Sequence, residues 1–413
     1  MAVVKPIKGI RPTRDKAHLV ASRAVNVYKQ RILNAKLEEN PYTFMHIILP
    51  EFGQKATTKP NTSERFKLVR KKFESYLKDG ILIQDQKEAY YIYRQIKGTH
   101  SYTGIIAGAS VDDYNKGVIK IHEQTLTKRE QIFTNYLDIC EFNAEPVLLA
   151  YDGEKSIDAV IKKYTKTRAE YEFTTSDKVT HLLWVVDNAG DVKTIENGFK
   201  KIQSIYIADG HHRSSSSALL ADIRIKRNKK HTGKEMYNYC LSYLVSSDQL
   251  RILEFNRLVK ETGLLTDKEI LEKIGEKFIV KKISGTKVKP GRLHQFTMYM
   301  NNTWYLLSLR KEFYGKKPVD QLDAQILTTY ILAPIFGIED LKNDSRIDFA
   351  GGNLGTTHLQ KKVDNGDAQI AFCLYPVTYK QLKLIADTHS IMPPKSTYIE
   401  PKLRSGLVIQ SLK

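Results

Sequence analysis

The densest concentration of reactive side chains in this sequence is the run Asp209-Gly210-His211-His212-Arg213. A carboxylate, two imidazoles and a guanidinium stand there side by side. The apolar run Ser204-Ile205-Tyr206-Ile207-Ala208 precedes it and reads as a buried strand. Ser214-Ser215-Ser216-Ser217-Ala218-Leu219-Leu220-Ala221 follows and reads as the start of a helix. A strand that turns through glycine into a helix N-terminus presents backbone N–H groups and the positive end of a dipole, which suits an anion such as phosphate. The structural alternative is a solvated charged turn that caps the helix.

Other stretches carry weaker signals. Ile119-Lys120-Ile121-His122-Glu123-Gln124-Thr125 places a histidine beside a glutamate at the expected start of a helix, where a base and a neighbour that tunes it can work together. The spacing is not that of a two-histidine metal site, and helix capping explains the pair equally well. Pro394-Lys395-Ser396-Thr397 offers a lysine and two hydroxyls in a rigid stretch, able to clamp phosphate oxygens or a polar substrate, or to form a surface turn. Asn343 to Gly352 pairs charges with a Gly351-Gly352 step that permits close backbone approach, or is a loop held by its own salt bridges. Gly9-Ile10-Arg11-Pro12-Thr13-Arg14 could also send an arginine into a site, with a surface position as the default. No Walker-type glycine loop, protein-kinase motif or dinucleotide fingerprint occurs.

These residues need a scaffold, and 413 residues call for two or three domains or subdomains. Composition is that of a soluble globular protein. No apolar run is long enough to span a bilayer, and Met1 to Pro6 lacks a signal-peptide core, so a cytoplasmic location without membrane partners is expected. Cys140, Cys240 and Cys373 lie far apart in apolar contexts and read as reduced core thiols. The formal charge of +19 attracts nucleic acid and phosphorylated metabolites alike. The basic residues are dispersed and the aromatics sit in strand patterns, which disfavours a nucleic-acid groove.

Hydrophobic spacing predicts helices near 16–38, 63–77, the second half of 118–136, 157–171, 267–279, 322–335 and 377–387. It predicts strands at 89–96, 102–109, 146–151, 181–186, 204–208, 237–246, 250–258, 294–300, 304–309 and 368–375, with Asn301-Asn302 as a hairpin turn. Strands and helices mix without strict βαβ alternation, which points to an α+β fold.

Taken together, Ile207 to Arg213, His122-Glu123, Asp344 to Asp348 and Met392-Pro393-Pro394-Lys395-Ser396-Thr397 resemble the bacterial DUF1015 family over nearly the whole chain. The Asp209–Arg213 turn also resembles that of the free serine kinases of the ParB/sulfiredoxin-like superfamily. In those kinases a Pro-His-Glu precedes an Asp-Gly-His-x-Arg turn, and a Pro-Lys-Thr-Thr segment lies near the C-terminus. The same order occurs here, although Ile121 replaces the proline and the first two motifs stand farther apart.

The resemblance implies a mixed-sheet ParB/sulfiredoxin-like catalytic core at 116–265. An N-terminal α+β subdomain would occupy 1–115, and a C-terminal α+β subdomain at 266–413 would complete the site. It implies transfer of a phosphoryl group from pyrophosphate, ATP or ADP to the hydroxyl of free L-serine, with Mg²⁺ as cofactor. Glu123 would orient or deprotonate the hydroxyl, and Asp209 would hold the metal. Gly210, His211, His212, Arg213 and Ser214 would cradle the phosphate, with His211 also catalytic. His122, Lys395, Ser396 and Thr397 would bind substrate. The alternatives are a ParB-like nucleotide- and DNA-binding protein, or a phosphohydrolase with water in place of serine.

Overall fold

Aromatic and β-branched runs such as Tyr90-Tyr91-Ile92-Tyr93 and Tyr243-Leu244-Val245 favour extended backbone, and in this chain they assemble into two large sheets. The computed structural model describes residues 1–285 and 288–413. The chain divides into two units. The first comprises Met1–Lys120, Gln124–Leu250 and Pro401–Lys413, and the second Ile121–Glu123 and Arg251–Glu400.

Among the described residues the first unit holds a nine-stranded mixed sheet. Its order is Ile119–Lys120, Ile205–Asp209, Val147–Tyr151, Tyr239–Ser246, His100–Ser110, Tyr90–Lys97, Val179–Val186 and Tyr171–Thr174, with Val4–Lys5 also paired to His100–Ser110. Ile205–Asp209 runs parallel to Ile119–Lys120 and antiparallel to Val147–Tyr151, which in turn runs parallel to Tyr239–Ser246. Helices Lys155–Tyr164 and Ala189–Phe199 lay Ile157, Val160, Ile195 and Phe199 on the core that includes Leu149, Ile205 and Ile207. A second core gathers Phe66, Val69 and Phe73 of helix Ser63–Lys78 with Phe142, Cys140 and Ile409.

The second unit carries an antiparallel sheet in the order Phe278–Ile283, Thr303–Leu309, Gln295–Met300, Ile370–Cys373, Arg251–Val259 and Ile347–Gly351. Strand Thr397–Glu400 pairs with the first half of Arg251–Val259. Asn301 and Asn302 turn the expected hairpin with φ of 44° and 57°, the positive pair that a two-residue I′ turn requires.

The α+β expectation holds, with a mixed parallel and antiparallel sheet. Several local expectations do not. Residues 16–38 form no single helix but Ala17–Val20, a 3₁₀ turn at Val25–Val27, and Gln30–Glu39. Ser22 bridges to Ser405, and that pairing draws the backbone out of helical conformation. The helix expected at 157–171 ends at Tyr164, and Tyr171 already belongs to a strand. Thr397–Glu400 and Ile347–Gly351 are strands where the sequence suggested a surface turn and a loop. The three cysteines are free and buried, and burial pushes the Cys140 and Cys373 thiols up to about 12. No helix among the described residues is long and apolar enough to cross a membrane.

Candidate functional site

In the first unit the strand Ile205–Asp209 ends at Asp209, and helix His211–Arg227 begins one residue past Gly210. Gly210 has φ 107° and ψ 30°, which a side-chain-bearing residue adopts only with strain. The turn returns Arg213 over the corner. Its Nη2 donates to Asp209 Oδ2 at 3.0 Å, its Nη1 donates to the Pro146 carbonyl at 2.6 Å, and Glu145 Oε2 stands 4.0 Å from Nη1. On the other carboxylate oxygen, Lys402 Nζ lies 3.6 Å from Asp209 Oδ1. Crowding by the surrounding protein disfavours the charged carboxylate, but Lys402 and then Arg213 outweigh it and hold the Asp209 carboxyl below its ordinary value. The side chain still keeps 45% of its exposure, so water screens both ion pairs and the carboxylate stays open to a ligand.

The rest of the motif is built into the helix. His211 is buried. His212 Nε2 accepts the Leu126 N–H at 3.0 Å, which makes that nitrogen an acceptor and places the ring beside the segment leading into helix Thr127–Cys140. The N–H groups of Arg213 and Ser214 return to the Gly210 carbonyl. Four consecutive serines are weak helix formers, and their small size serves packing instead. Ser215 and Ser216 hydroxyls donate to the His212 carbonyl, and Ser217 donates to that of Arg213. Ser216 also reaches the Glu130 carbonyl, and Thr134 Oγ1 reaches Ser216 O, so the two helices are stitched by hydroxyls satisfied on both sides. Ser214 is buried and lines a small internal cavity beside Ser110, Ile119, Leu149 and Cys240.

In the second unit the structure brings two sequence-distant motifs together. The Met392 N–H donates to the His122 carbonyl at 2.9 Å, which sets His122-Glu123 beside the Met392–Thr397 loop. His122 is fully buried, and His122-Glu123 lies in irregular backbone four residues before the helix at Thr127 rather than at its start. In the loop, Lys395 has φ 56°, its Nζ lies 5.4 Å from the centre of the Phe255 ring, and the buried Ser396 hydroxyl donates to the Pro393 carbonyl at 2.7 Å. Thr397 opens the strand opposite Glu254.

Arg257 pegs this loop from below. It is fully buried. Nη1 donates to Phe255 O and Lys395 O at 2.6 and 2.9 Å, and Nη2 donates to Pro394 O at 3.3 Å, while Phe349 stacks 4.8 Å from the guanidinium carbon. Burial alone lowers its pKa to about 9. The weaker sequence candidates resolve into structural parts. Arg11 is clamped by Asp85, Glu170 and the Tyr171 hydroxyl. Arg346 pairs with Asp344 and caps the carbonyls of Phe336 and Gly337. At Gly351 and Gly352 a Cβ would come within 2.6 Å of the Tyr398 ring and 2.5 Å of the Glu254 carboxyl, the close approach the Gly-Gly step suggested.

Among the described residues no three His, Cys, Asp or Glu side chains gather into a metal cage. A single half-exposed carboxylate nonetheless fits Mg²⁺, which protein commonly holds by one or two carboxylates while phosphate oxygens and water complete the octahedron. Asp209 Oδ1, with the looser cation contact, is the oxygen available to it.

Two residues of these sites went unread in the sequence. Lys402 is one of 65 lysines and arginines and carries no local pattern. Arg257 did leave a signal. It shares the strand parity of Leu253, Phe255 and Val259, a charge set between apolar neighbours of one row.

The profile of a family described as a protein of unknown function (DUF1015) matches residues 4–325. No curated protein matches the sequence. Among solved structures, a free serine kinase in complex with AMP is 13% identical with a TM-score of 0.37, over 73% of this chain and 91% of that one. A conserved hypothetical protein from Pyrococcus furiosus is 11% identical with a TM-score of 0.36, over 75% and 94%. SbnI with a C-terminal truncation, from Staphylococcus aureus, is 12% identical with a TM-score of 0.38, over 73% and 85%. Likeness at these TM-scores carries no argument about chemistry.

Proposed function

The chain belongs to the DUF1015 family, and from the order of its motifs and the Asp209 corner we propose that it is a phosphotransferase acting on free L-serine. The observation that carries the reading is the corner itself: a half-open carboxylate flanked by Arg213 and Lys402 at the start of a helix. Such a corner favours an anion that brings its own metal. When bound, Mg²⁺ would neutralise charge on the donor phosphates, and Asp209 is the residue that would hold it.

The residues' own work is positioning and charge. Arg213 and the first turn of the helix would orient the transferred phosphoryl group, with His211 and His212 beside it. Glu123 would take the proton of the serine hydroxyl as the new O–P bond forms and the bond to the leaving phosphate breaks. Lys395, Ser396 and Thr397 would bind the amino-acid carboxylate or the donor phosphates, with His122 supporting them. These last roles rest on motif order, as does the ParB/sulfiredoxin-like relation of the core. Most of the rate enhancement would come from orientation and charge stabilisation.

The test is direct. Pure protein is incubated with Mg²⁺, L-serine and, separately, ATP, ADP and pyrophosphate, and O-phosphoserine is sought by mass. Its appearance with one donor supports the reading. Phosphate release that is indifferent to serine would assign a phosphohydrolase instead, and no turnover with any donor would overturn the proposal.

A further inference from the structure

We propose that Lys402 is a donor-phosphate ligand of the Asp209 corner, carried there by the chain's C-terminal segment. The inference deepens the phosphotransferase reading and rests on it. Three observations lead to it.

The first is redundancy. Asp209 already has an ion-pair partner one helical turn away, in Arg213 at 3.0 Å. A second cation at 3.6 Å, with 38% of its side chain exposed, adds little to folding, because exposed pairs of this length contribute close to nothing.

The second is delivery. The segment that follows Lys402 is fixed to the first unit at successive points. Arg404 Nη2 holds both oxygens of Asp177 at 2.7 and 2.8 Å, Ser405 exchanges backbone hydrogen bonds with Ser22, Ile409 does so with Ile10, and Gln410 pairs with Asn143. The Lys402 backbone is thus set by its neighbours, and its four-carbon arm delivers the ammonium to Asp209 Oδ1. A point charge delivered beside a carboxylate of this kind suits the oxygens of a phosphate.

The third is charge balance. Glu145, 4.0 Å from Arg213, accepts the Ser405 hydroxyl at 2.8 Å and faces the guanidinium. Arg213 is therefore tied to Glu145, Asp209 and the Pro146 carbonyl. Lys402, with 38% of its side chain exposed, is the second cation that an arriving polyphosphate meets at the corner.

The chemistry it recognises is the terminal phosphate of a polyphosphate, whether of a nucleotide or of inorganic pyrophosphate. The test is calorimetric binding of each donor, with Mg²⁺, to the full-length protein and to Lys402→Met and Lys402→Arg, with folding checked by thermal melting. Lys402→Gln replaces the Met variant if that one fails to fold. Loss of about tenfold or more in affinity for at least one donor in the Met variant, with most of it restored in the Arg variant, is expected. In steady state the donor KM should rise and the serine KM should not. Wild-type affinity in a folded Met variant would overturn the role of Lys402 alone. A wild-type protein that binds none of the three donors would instead remove the phosphotransferase reading, and the role with it.

Discussion

The guanidinium of Arg213 lies directly against the Cα of Gly210: a Cβ built there would meet Nη2 at 2.9 Å and Nε at 3.0 Å. The glycine thus does two things at once. It adopts φ 107°, and it leaves room for the arginine that grips Asp209. Gly210→Ala should cost roughly 1–2 kcal/mol from backbone strain, and it should push Arg213 off the carboxylate. Denaturant unfolding measures the first effect. Donor affinity measures the second, and an alanine variant with unaltered binding would show that the Arg213 contact is dispensable.

Asp209→Asn and Glu123→Gln test the two carboxylates with near-isosteric changes. Both variants should fold, and both should lose about a hundredfold or more in turnover. Phosphoserine yield under saturating donor, read beside circular dichroism, decides the matter. Full turnover by either variant would strip that residue of its proposed role.

The Asp209 turn was legible because chemistry and local structure coincide there: an apolar strand, a glycine and a helix start within one window. The Asn301-Asn302 hairpin was legible for the same reason, since the turn residues dictate its φ values. What sequence could not supply was long-range pairing. Ser22 with Ser405, Thr397 with Glu254, Met392 with His122 and Asp209 with Lys402 are each separated by more than a hundred residues. No periodicity encodes such partners. Lys402 was invisible for this reason, and the single helix expected over 16–38 failed because a distant strand partner broke it.

Asp323 carries a pH signature in the second unit. Its carboxyl is buried at the start of helix Asp323–Leu327, and burial raises it from 3.8 to about 7, more than the backbone N–H groups of His294 and Tyr375 can restore. The folded form holds a proton that the unfolded chain has released, so this group lowers stability as pH rises between those values, by up to about 1.4 kcal/mol per unit. His181 in the first unit works in the opposite sense. Burial, then Arg404, lower it from 6.5 to about 3, so its contribution is complete above 6.5 and is lost as pH falls toward 3. Asp323→Asn should therefore stabilise the protein near neutral pH and lose that advantage near pH 4. Urea midpoints across this range measure the difference, and a variant offset that does not change with pH would refute the assignment.

Arg257 offers the sharpest test of how the Met392–Thr397 loop is held. A buried guanidinium with only carbonyl acceptors is costly, since burial of an arginine without a carboxylate partner opposes its charge. That cost is offset by hydrogen bonds to three carbonyls, two of them in the loop, each worth roughly 1.5–3 kcal/mol with a charged donor. Arg257→Met removes the charge and the donors together, so the two effects oppose each other in global stability. They do not oppose each other in the loop, which loses its anchor outright. Amide exchange over residues 393–398 should then accelerate by about tenfold or more, while that of the neighbouring strands Ile370–Cys373 and Gln295–Met300 stays slow. Arg257→Lys should restore only part of the protection, because a single ammonium replaces two separate guanidinium nitrogens. If exchange in the loop is unchanged in the methionine variant, the pairing of Thr397–Glu400 with Arg251–Glu254 is what holds the segment, and Arg257 is not its peg.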